Sequence, residues 1–135
     1  TRGKGGKRND LIKRTAMIEE AGAEMFVSIH CNAIRLEGQF GAQVFYNPKL
    51  EENKELALIM QRALRDFPNG NKRQAKEDLH ILLLKEVSIP GVLVETGYLT
   101  NKEEARRLSD AAYQQKMAEQ IAKGLAYHFS QKVER

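Results

Sequence analysis

Two short apolar runs, each ending in a chemically capable side chain, constrain the fold of this chain most. The first run, residues 25–30, ends in His30, and the second, residues 92–95, ends in Glu95. Buried parallel strands read as continuous apolar segments, so each run is typical of a strand that delivers a functional group to its C-terminal end. Open α/β sheets bind ligands outside the carboxyl ends of their strands, and the pattern therefore predicts that His30 and Glu95 share one crevice.

Length and composition favour one domain with a core of modest size. The chain has 135 residues, of which 41% are hydrophobic, and a single cysteine, Cys31. Its apolar stretches fall far below the roughly 20 residues that cross a bilayer, so we expect no membrane span. One cysteine excludes an intramolecular disulfide. Cys31 follows His30 directly, so we expect its side chain to point to the opposite face and to pack as a small buried residue rather than act as a thiol nucleophile.

Strand-like and helix-like segments alternate along the chain, which indicates an α/β fold. We predict strands at residues 25–30, 42–46 and 92–95, and helices from Asn9 or Asp10 to Gly22, at 53–67, after a cap at Asn101, and at 110–131. Residues 71–78 are polar and predicted to be irregular, and residues 79–84 form either a short strand or a turn of helix. The expected architecture is a single domain with a mostly parallel twisted sheet flanked by helices.

The basic start of the chain suggests an anionic partner. The net charge is +4, and part of it comes from Arg2, Lys4, Lys7 and Arg8, which are interleaved with glycines. We predict a mobile basic loop here, which is either a solvated surface or a contact for an anionic polymer. No aromatic residues accompany the basic ones, so a stacking platform for single-stranded nucleic acid lacks its main component. We expect no nucleic-acid partner, and a basic nucleic-acid-binding domain stays a rival to be tested by the salt dependence of DNA binding.

The side chains at the two strand ends, His30 and Glu95, can be interpreted as structural or as functional. A lone histidine at a strand end is often structural, and a lone glutamate usually faces water. However, an ionised carboxylate that closes an apolar run costs several kcal/mol unless it is paired or faces a functional cleft. Asn32 lies two residues after His30, on the same face of a strand, where it could hold a substrate amide. For the other histidines we expect packing at His80 and a surface or helix-dipole position at His128.

These segments resemble a known family of enzymes. Residues 26–33 (FVSIHCNA) and 92–101 (VLVETGYLTN), in this order, resemble the zinc-dependent N-acetylmuramoyl-L-alanine amidases of the type 3 catalytic family. The pair Thr1-Arg2, the lead-in at 23–26 and the stretch after residue 101 resemble that family as well. The resemblance covers nearly the whole chain.

The resemblance implies a site and a reaction. His30 matches the last of three zinc ligands, and Glu95 matches the glutamate that serves as general base or acid. Zn²⁺ is therefore the implied cofactor, and peptidoglycan is the implied partner. The bond cut is the amide between the lactyl group of N-acetylmuramic acid and L-alanine of the stem peptide. Such an enzyme works outside the cytoplasm, in the cell wall or spore cortex. The sequence leaves no trace of an activating protein.

The resemblance also implies that the domain is incomplete. The family's first two zinc ligands precede the threonine-arginine pair, which is Thr1-Arg2 here. Residues 1–135 would then be the C-terminal three-quarters of a catalytic domain without its first strand. We expect the exposed sheet edge to cause oligomerisation or partial disorder, or the chain to be a fragment of a longer polypeptide. The chain alone is expected to be inactive, which keeps a non-catalytic peptidoglycan-binding module as an alternative function.

The wording of residues 85–91 (KEVSIPG) resembles the spore-cortex germination subgroup of this family. In that subgroup the enzyme strips stem peptides from the cortex so that muramic acid can become muramic-δ-lactam.

Overall fold

The computed structural model describes residues 4–32 and 40–133, with side chains at 9–31 and 40–132. Its elements, in chain order, are α1 (Lys4–Glu20), β1 (Phe26–Asn32), β2 (Gln43–Tyr46), α2 (Glu51–Ala63), β3 (Lys76–Glu77), α3 (Leu82–Glu86), β4 (Gly91–Tyr98), α4 (Lys102–Leu108) and α5 (Ala111–Val133). The described strands form one sheet in the order β1-β4-β2-β3. β1 is parallel to β4 and β2 is parallel to β3, while β2 is antiparallel to β4. The predicted α/β fold with a mostly parallel sheet is confirmed.

One face of the sheet forms the core together with α2 and α5. Side chains alternate along a strand, and Val44 of β2 pairs with Val94 of β4 on the inner face, where both are fully buried. The helices cover this face with apolar side chains at Leu56, Ala57, Met60, Leu64, Met117 and Ile121. The predicted last helix is therefore confirmed as α5, and Met117 and Ile121 bring its central turns into the core. The described helices include none that is long and apolar enough to cross a membrane.

Three buried amide side chains tie the sheet to α2 and to the chain that follows it. Gln61 accepts a hydrogen bond from Val44 N at 2.8 Å and donates to Ala42 O at 3.0 Å. Asn53 accepts from Gly91 N at 2.9 Å, and Asn71 donates to Ala42 O at 2.9 Å. Buried backbone groups need such partners, and these amides satisfy backbone groups at the start of β2 and at the start of β4. The burial of these three amides could not be predicted, because nothing in a polar residue's local pattern shows that it will be buried.

The predicted basic loop at the start of the chain is wrong for the residues that the structure describes. α1 begins at Lys4, so Asn9 and Asp10 lie inside the helix rather than capping it, and Asp10 instead pairs with Arg14 at 3.4 Å. Extending an existing helix adds one hydrogen bond per residue, which offsets the cost of about 1 kcal/mol for each glycine. The predicted stop is confirmed, since Gly22 has a positive φ of 62° just after the helix.

The other elements lie where the sequence predicts them but differ at their ends, since α2 ends at Ala63 rather than at residue 67 and β4 continues past Glu95 to Tyr98. Asn101 caps α4 as predicted, because its side chain accepts hydrogen bonds from the backbone of Glu103 and Glu104. Residues 71–78 were expected to be irregular, but Lys76–Glu77 pairs with β2, where the sheet edge supplies the hydrogen bonds that a polar dipeptide has no propensity to seek alone. Of the two forms predicted for residues 79–84, the helical turn is the one observed, in α3.

Cys31 is not buried, which corrects the prediction from its strand position. Its side chain is exposed, and Sγ lies 3.4 Å from Thr96 Oγ1. β1 is an edge strand of the described sheet. The helices α2 and α5 pack over β2 and β4 rather than over β1. The inner face of β1 is therefore uncovered towards its end, where Ile29 is also 57% exposed.

Two histidine predictions are wrong as well. His80 does not pack, because Asp78 Oδ1 accepts its backbone N–H in a turn that leaves the side chain exposed. His128 is not on the surface: it is 2% exposed, and its Nε2 lies 3.2 Å from Glu52 Oε2. The packing of α5 against α2 encloses this ring, and such a contact between distant segments leaves no local trace in sequence.

Candidate active site

Three polar side chains form a row across the outer face of the sheet. His30 of β1 is the direct partner of Glu95 in β4, and Glu95 is in turn the direct partner of Gln43 in β2. Residues paired in this way point to the same face, and neighbouring strands lie about 4.8 Å apart. The prediction that His30 and Glu95 share one site is therefore consistent with this register. Gln43 was missed, because its short alternating strand gives no hint of which residue it opposes.

His30 is held by its own strand. Its Nε2 lies 2.8 Å from Ser28 Oγ, two residues earlier on the same face. Burial lowers the pKa of His30 below its ordinary value, and the positive charge of Arg14 on α1 lowers it further. Both effects favour the neutral imidazole, which is the form that can accept a proton or bind a metal ion.

Glu95 is the least satisfied acid in the described part of the chain. Its Oε2 is buried and has no hydrogen-bond partner among the described residues. Burial raises the pKa of Glu95 above its ordinary value, because the charged form loses its hydration. A carboxyl group with a raised pKa and an unpartnered oxygen is suited to exchange protons with a substrate or a water molecule.

The strand ends that carry His30 and Glu95 are tied to each other. Thr96 Oγ1 donates a hydrogen bond to His30 O at 2.9 Å. Beyond this point the register between β1 and β4 shifts, so that Asn32 is the partner of Tyr98. Asn32 ends β1, but its side chain lies outside the described residues, and its role in substrate binding stays a prediction.

Glu104 fixes the backbone on both sides of the row. This side chain is 3% exposed; it accepts a hydrogen bond from Gly41 N, and another from Tyr98 N at 2.5 Å. Gly97 allows the close approach, since an added Cβ would lie 2.7 Å from Glu104 Oε2. The carboxylate thus holds the start of β2 against the end of β4. Sequence position alone indicates only a helix-dipole role for Glu104, because an acid in the first turn of α4 has that position whether or not it is buried.

A groove of about 960 Å³ lies away from this row. Residues of α2 and α5 line it, and Arg73 and Gln74 form part of its wall. Neither His30 nor Glu95 belongs to the lining. We place the chemistry at the row, because a hollow between helices without a perturbed acid or base offers shape but no proton transfer.

The fold and the row together define a class of protein. It is an α/β domain that presents an imidazole of lowered pKa and a carboxyl group of raised pKa side by side towards the carboxyl ends of two parallel strands. Such a pair can bind a metal ion through the histidine and move protons through the glutamate.

Comparisons with known proteins identify the family. The family model for N-acetylmuramoyl-L-alanine amidase matches residues 1–127. The germination-specific N-acetylmuramoyl-L-alanine amidase of Bacillus subtilis is 40% identical over 126 residues, which cover 93% of this chain and 53% of that protein. The amidase LytC of Bacillus subtilis is 28% identical and is matched over 88% of this chain and 24% of its own length. The chain belongs to the N-acetylmuramoyl-L-alanine amidase family, and it spans about half or less of the length of these two relatives.

Solved structures support the same fold. The CwlD amidase from Clostridioides difficile, solved in complex with the GerS lipoprotein, has a TM-score of 0.90 and 36% identity, covering 96% of this chain and 66% of that one. The catalytic domain of the amidase CwlV from Bacillus (Paenibacillus) polymyxa has a TM-score of 0.78 and 26% identity, covering 89% of this chain and 65% of that one.

Proposed function

We propose that this chain supplies the catalytic glutamate and one metal-binding histidine of an enzyme that cuts the amide between the lactyl group of N-acetylmuramic acid and L-alanine in peptidoglycan. The observation that carries the proposal is the direct pairing of His30 with Glu95, whose buried Oε2 lacks a partner among the described residues. Membership of the amidase family supplies the reaction class.

Zinc is the proposed cofactor, and the described residues fit one part of its site. Catalytic zinc takes three protein ligands, commonly imidazoles and a carboxylate. A His30 ring that donates Nε2–H to Ser28 Oγ keeps a lone pair on Nδ1 for a metal, with the serine as orienting partner. Within residues 4–32 and 40–133, no group of three potential ligands comes together. The proposal therefore requires the other ligands to come from residues outside those ranges. When bound, zinc would polarise the scissile carbonyl and acidify a water molecule.

Glu95 moves the protons in the proposed reaction. Its carboxylate takes a proton from the attacking water, and the resulting carboxylic acid gives it to the nitrogen of L-alanine as the C–N bond breaks. Burial favours the protonated form that this second step needs. Because its Oε2 has no partner in the part of the chain that the structure describes, this oxygen can hydrogen-bond first to the water and then to the amine.

A non-catalytic peptidoglycan-binding module is the second candidate. It is favoured by the absence, among the described residues, of any group of three potential metal ligands. A module would hold the glycan peptide at the row without cutting it. The two candidates differ in whether new amino termini appear, and not in whether peptidoglycan is bound.

The biological setting is proposed from the relatives. The germination-specific relative supports action on spore-cortex peptidoglycan, and cell-wall amidases among the matches support a place outside the cytoplasm. In this role the enzyme prepares muramic acid for conversion to muramic-δ-lactam. Cortex from spores without the gene is then expected to lack the lactam, and normal lactam content would contradict the role.

Zinc content and product release test the enzyme proposal together. The full-length protein is expected to hold one equivalent of zinc after chelation and back-titration, and to release L-alanine amino termini from peptidoglycan. His30→Ala should lose both zinc and activity, whereas Glu95→Gln should keep zinc and lose activity. His80→Ala is the matched control, because His80 is exposed and remote from the row in sequence and sheet position. Binding of peptidoglycan without release of amino termini would support the module instead.

A further inference from the structure

Gln43 completes the row beyond Glu95, and its amide is fixed from two sides. Nε2 donates a hydrogen bond to Gln74 O at 2.9 Å, and Arg73 Nη1 donates to Oε1 at 3.4 Å. These partners determine which terminal atom of the amide is the nitrogen and which is the oxygen. A reversed amide would place its oxygen against a carbonyl and its NH₂ group against a guanidinium.

The arginine that holds Gln43 is itself held in place. Arg73 Nε donates to Phe40 O at 3.0 Å, and the guanidinium carbon lies 4.6 Å from the centre of the Tyr98 ring. A cation over an aromatic face is attracted to the ring. Gln43 is therefore presented at the outer face by a preorganised support rather than as a freely rotating side chain.

Gln43 retains the hydrogen-bonding groups that recognise a peptide. A primary amide has two N–H donors and two lone pairs on its oxygen. Gln74 and Arg73 use one of each. In the described part of the chain no further bond is made by the remaining donor and acceptor. A donor and an acceptor side by side complement the C=O and N–H of a peptide group.

We propose that Gln43 is a substrate-binding residue that hydrogen-bonds the first peptide group beyond the scissile amide, on the side of the departing amine. This inference rests on the proposed amidase function. Glu95 lies between His30 and Gln43 in the row, and Glu95 gives its proton to the departing nitrogen. Gln43 is thus on the leaving-group side, one strand spacing from Glu95, where a chain with about 3.5 Å per residue places its next peptide group.

A matched pair of substrates isolates this contact. N-acetylmuramoyl-L-alanine methylamide carries the peptide group, and the methyl ester of the same length lacks its N–H. In the full-length protein, Gln43→Ala should lower kcat/KM for the methylamide about 10- to 100-fold, from the loss of two hydrogen bonds, and for the ester only about 3- to 10-fold, from the loss of the one bond to its C=O. Gln74→Ala is the control, because Gln43 binds the backbone oxygen of Gln74 and not its side chain. This control should keep wild-type kcat/KM for both substrates.

A purely structural role for Gln43 gives a different result. Equal losses on both substrates, accompanied by a lower melting temperature, would overturn the proposal. So would a Gln43→Ala variant within about twofold of wild type on the methylamide. An Arg73→Ala variant should show part of the Gln43→Ala loss on the methylamide, because it removes one of the two supports of the amide, and an unchanged kcat/KM would count against the supporting role.

Failure of the amidase function itself is distinguished by binding. If the wild type cuts neither substrate, the affinity of the methylamide is measured by calorimetry on Glu95→Gln and on the Glu95→Gln, Gln43→Ala double variant. At least tenfold weaker binding by the double variant would keep Gln43 as a peptide-binding residue and overturn only the cleavage. Equal affinities, or no binding to either variant, would overturn the inference about Gln43 as well.

Discussion

Two glutamates at the carboxyl end of β4 have opposite environments. Glu104 is 3% exposed, yet both of its oxygens accept backbone hydrogen bonds, from Gly41 and Tyr98. Glu95 is less buried, but its Oε2 has no partner among the described residues. Burial therefore does not by itself mark a functional acid. A fully bonded carboxylate fixes the backbone, and a carboxylate with an open oxygen is available for chemistry.

Removal of the Glu95 carboxylate should have the largest effect. Glu95→Gln keeps the shape of the side chain but cannot accept and return a proton, so kcat should fall about 10²- to 10⁴-fold, the usual contribution of a general acid or base. Release of amino termini from peptidoglycan measures it. Glu77→Gln, at an exposed position on β3, is the control and should be fully active. A Glu95→Gln enzyme with a tenth or more of wild-type kcat would remove the contrast between the two glutamates.

Loss of the Glu104 carboxylate should reduce stability instead. Glu104→Ala leaves the N–H groups of Gly41 and Tyr98 without their acceptor, at a cost of roughly 1–3 kcal/mol each in the free energy of unfolding. Urea denaturation measures the loss. Glu103→Gln is the matched control one residue away and should be close to wild type in stability, because its ion pair with Arg106 is exposed and screened by solvent. If the two variants were equally stable, the Glu104 carboxylate would not hold the start of β2 against the end of β4.

The raised pKa of Glu95 should also change how the free energy of unfolding depends on pH, when it is measured without metal. Burial raises the folded-state pKa of Glu95, so the wild type loses stability as pH rises from the ordinary value of 4.5 through the raised value. Gln is neutral throughout. Glu95→Gln should therefore gain stability relative to wild type across that window and keep a constant advantage above it. Parallel stability curves for the two proteins would contradict the raised pKa.

Glu52 provides a smaller effect of the opposite sign. Burial alone would raise the pKa of Glu52, but hydrogen bonds from Lys132 and His128 outweigh it, and the pKa is lowered. The stabilisation is then present above the ordinary value of 4.5 and is lost as pH falls through the lowered folded value. Glu52→Gln should cost less than about 1 kcal/mol at neutral pH, because the pair is partly exposed, and nothing at the acid end.

Glu51→Gln is the control for Glu52, since Glu51 shares the first turn of α2 but is exposed. A loss for Glu52→Gln that persists unchanged down to acid pH would rule out an electrostatic origin.

Much of the fold was predictable because local patterns agree with the final structure. Four elements lie close to their predicted places: the strand that carries His30, the strand that carries Glu95, the strand at 42–46 and the last helix. Apolar periodicity identifies these elements wherever one face is buried. The errors at Cys31, His80 and His128 have one cause. Burial at those positions depends on which distant element covers them, and alternation along a strand or helix does not carry that information.

Local sequence patterns were sufficient to identify the α/β class and the two polar residues, His30 and Glu95, at the ends of its apolar runs, since periodicity and the cost of an isolated charge are local properties. Strand pairing in the folded domain makes β2 antiparallel to β4 and so adds Gln43 to the row; it also leaves both oxygens of Glu104 bonded and the Oε2 of Glu95 without a partner among the described residues. The physical reason is that register and hydrogen-bond partners are set between segments far apart in the chain. Two glutamates with similar neighbours in sequence can therefore have different roles once the strands are paired.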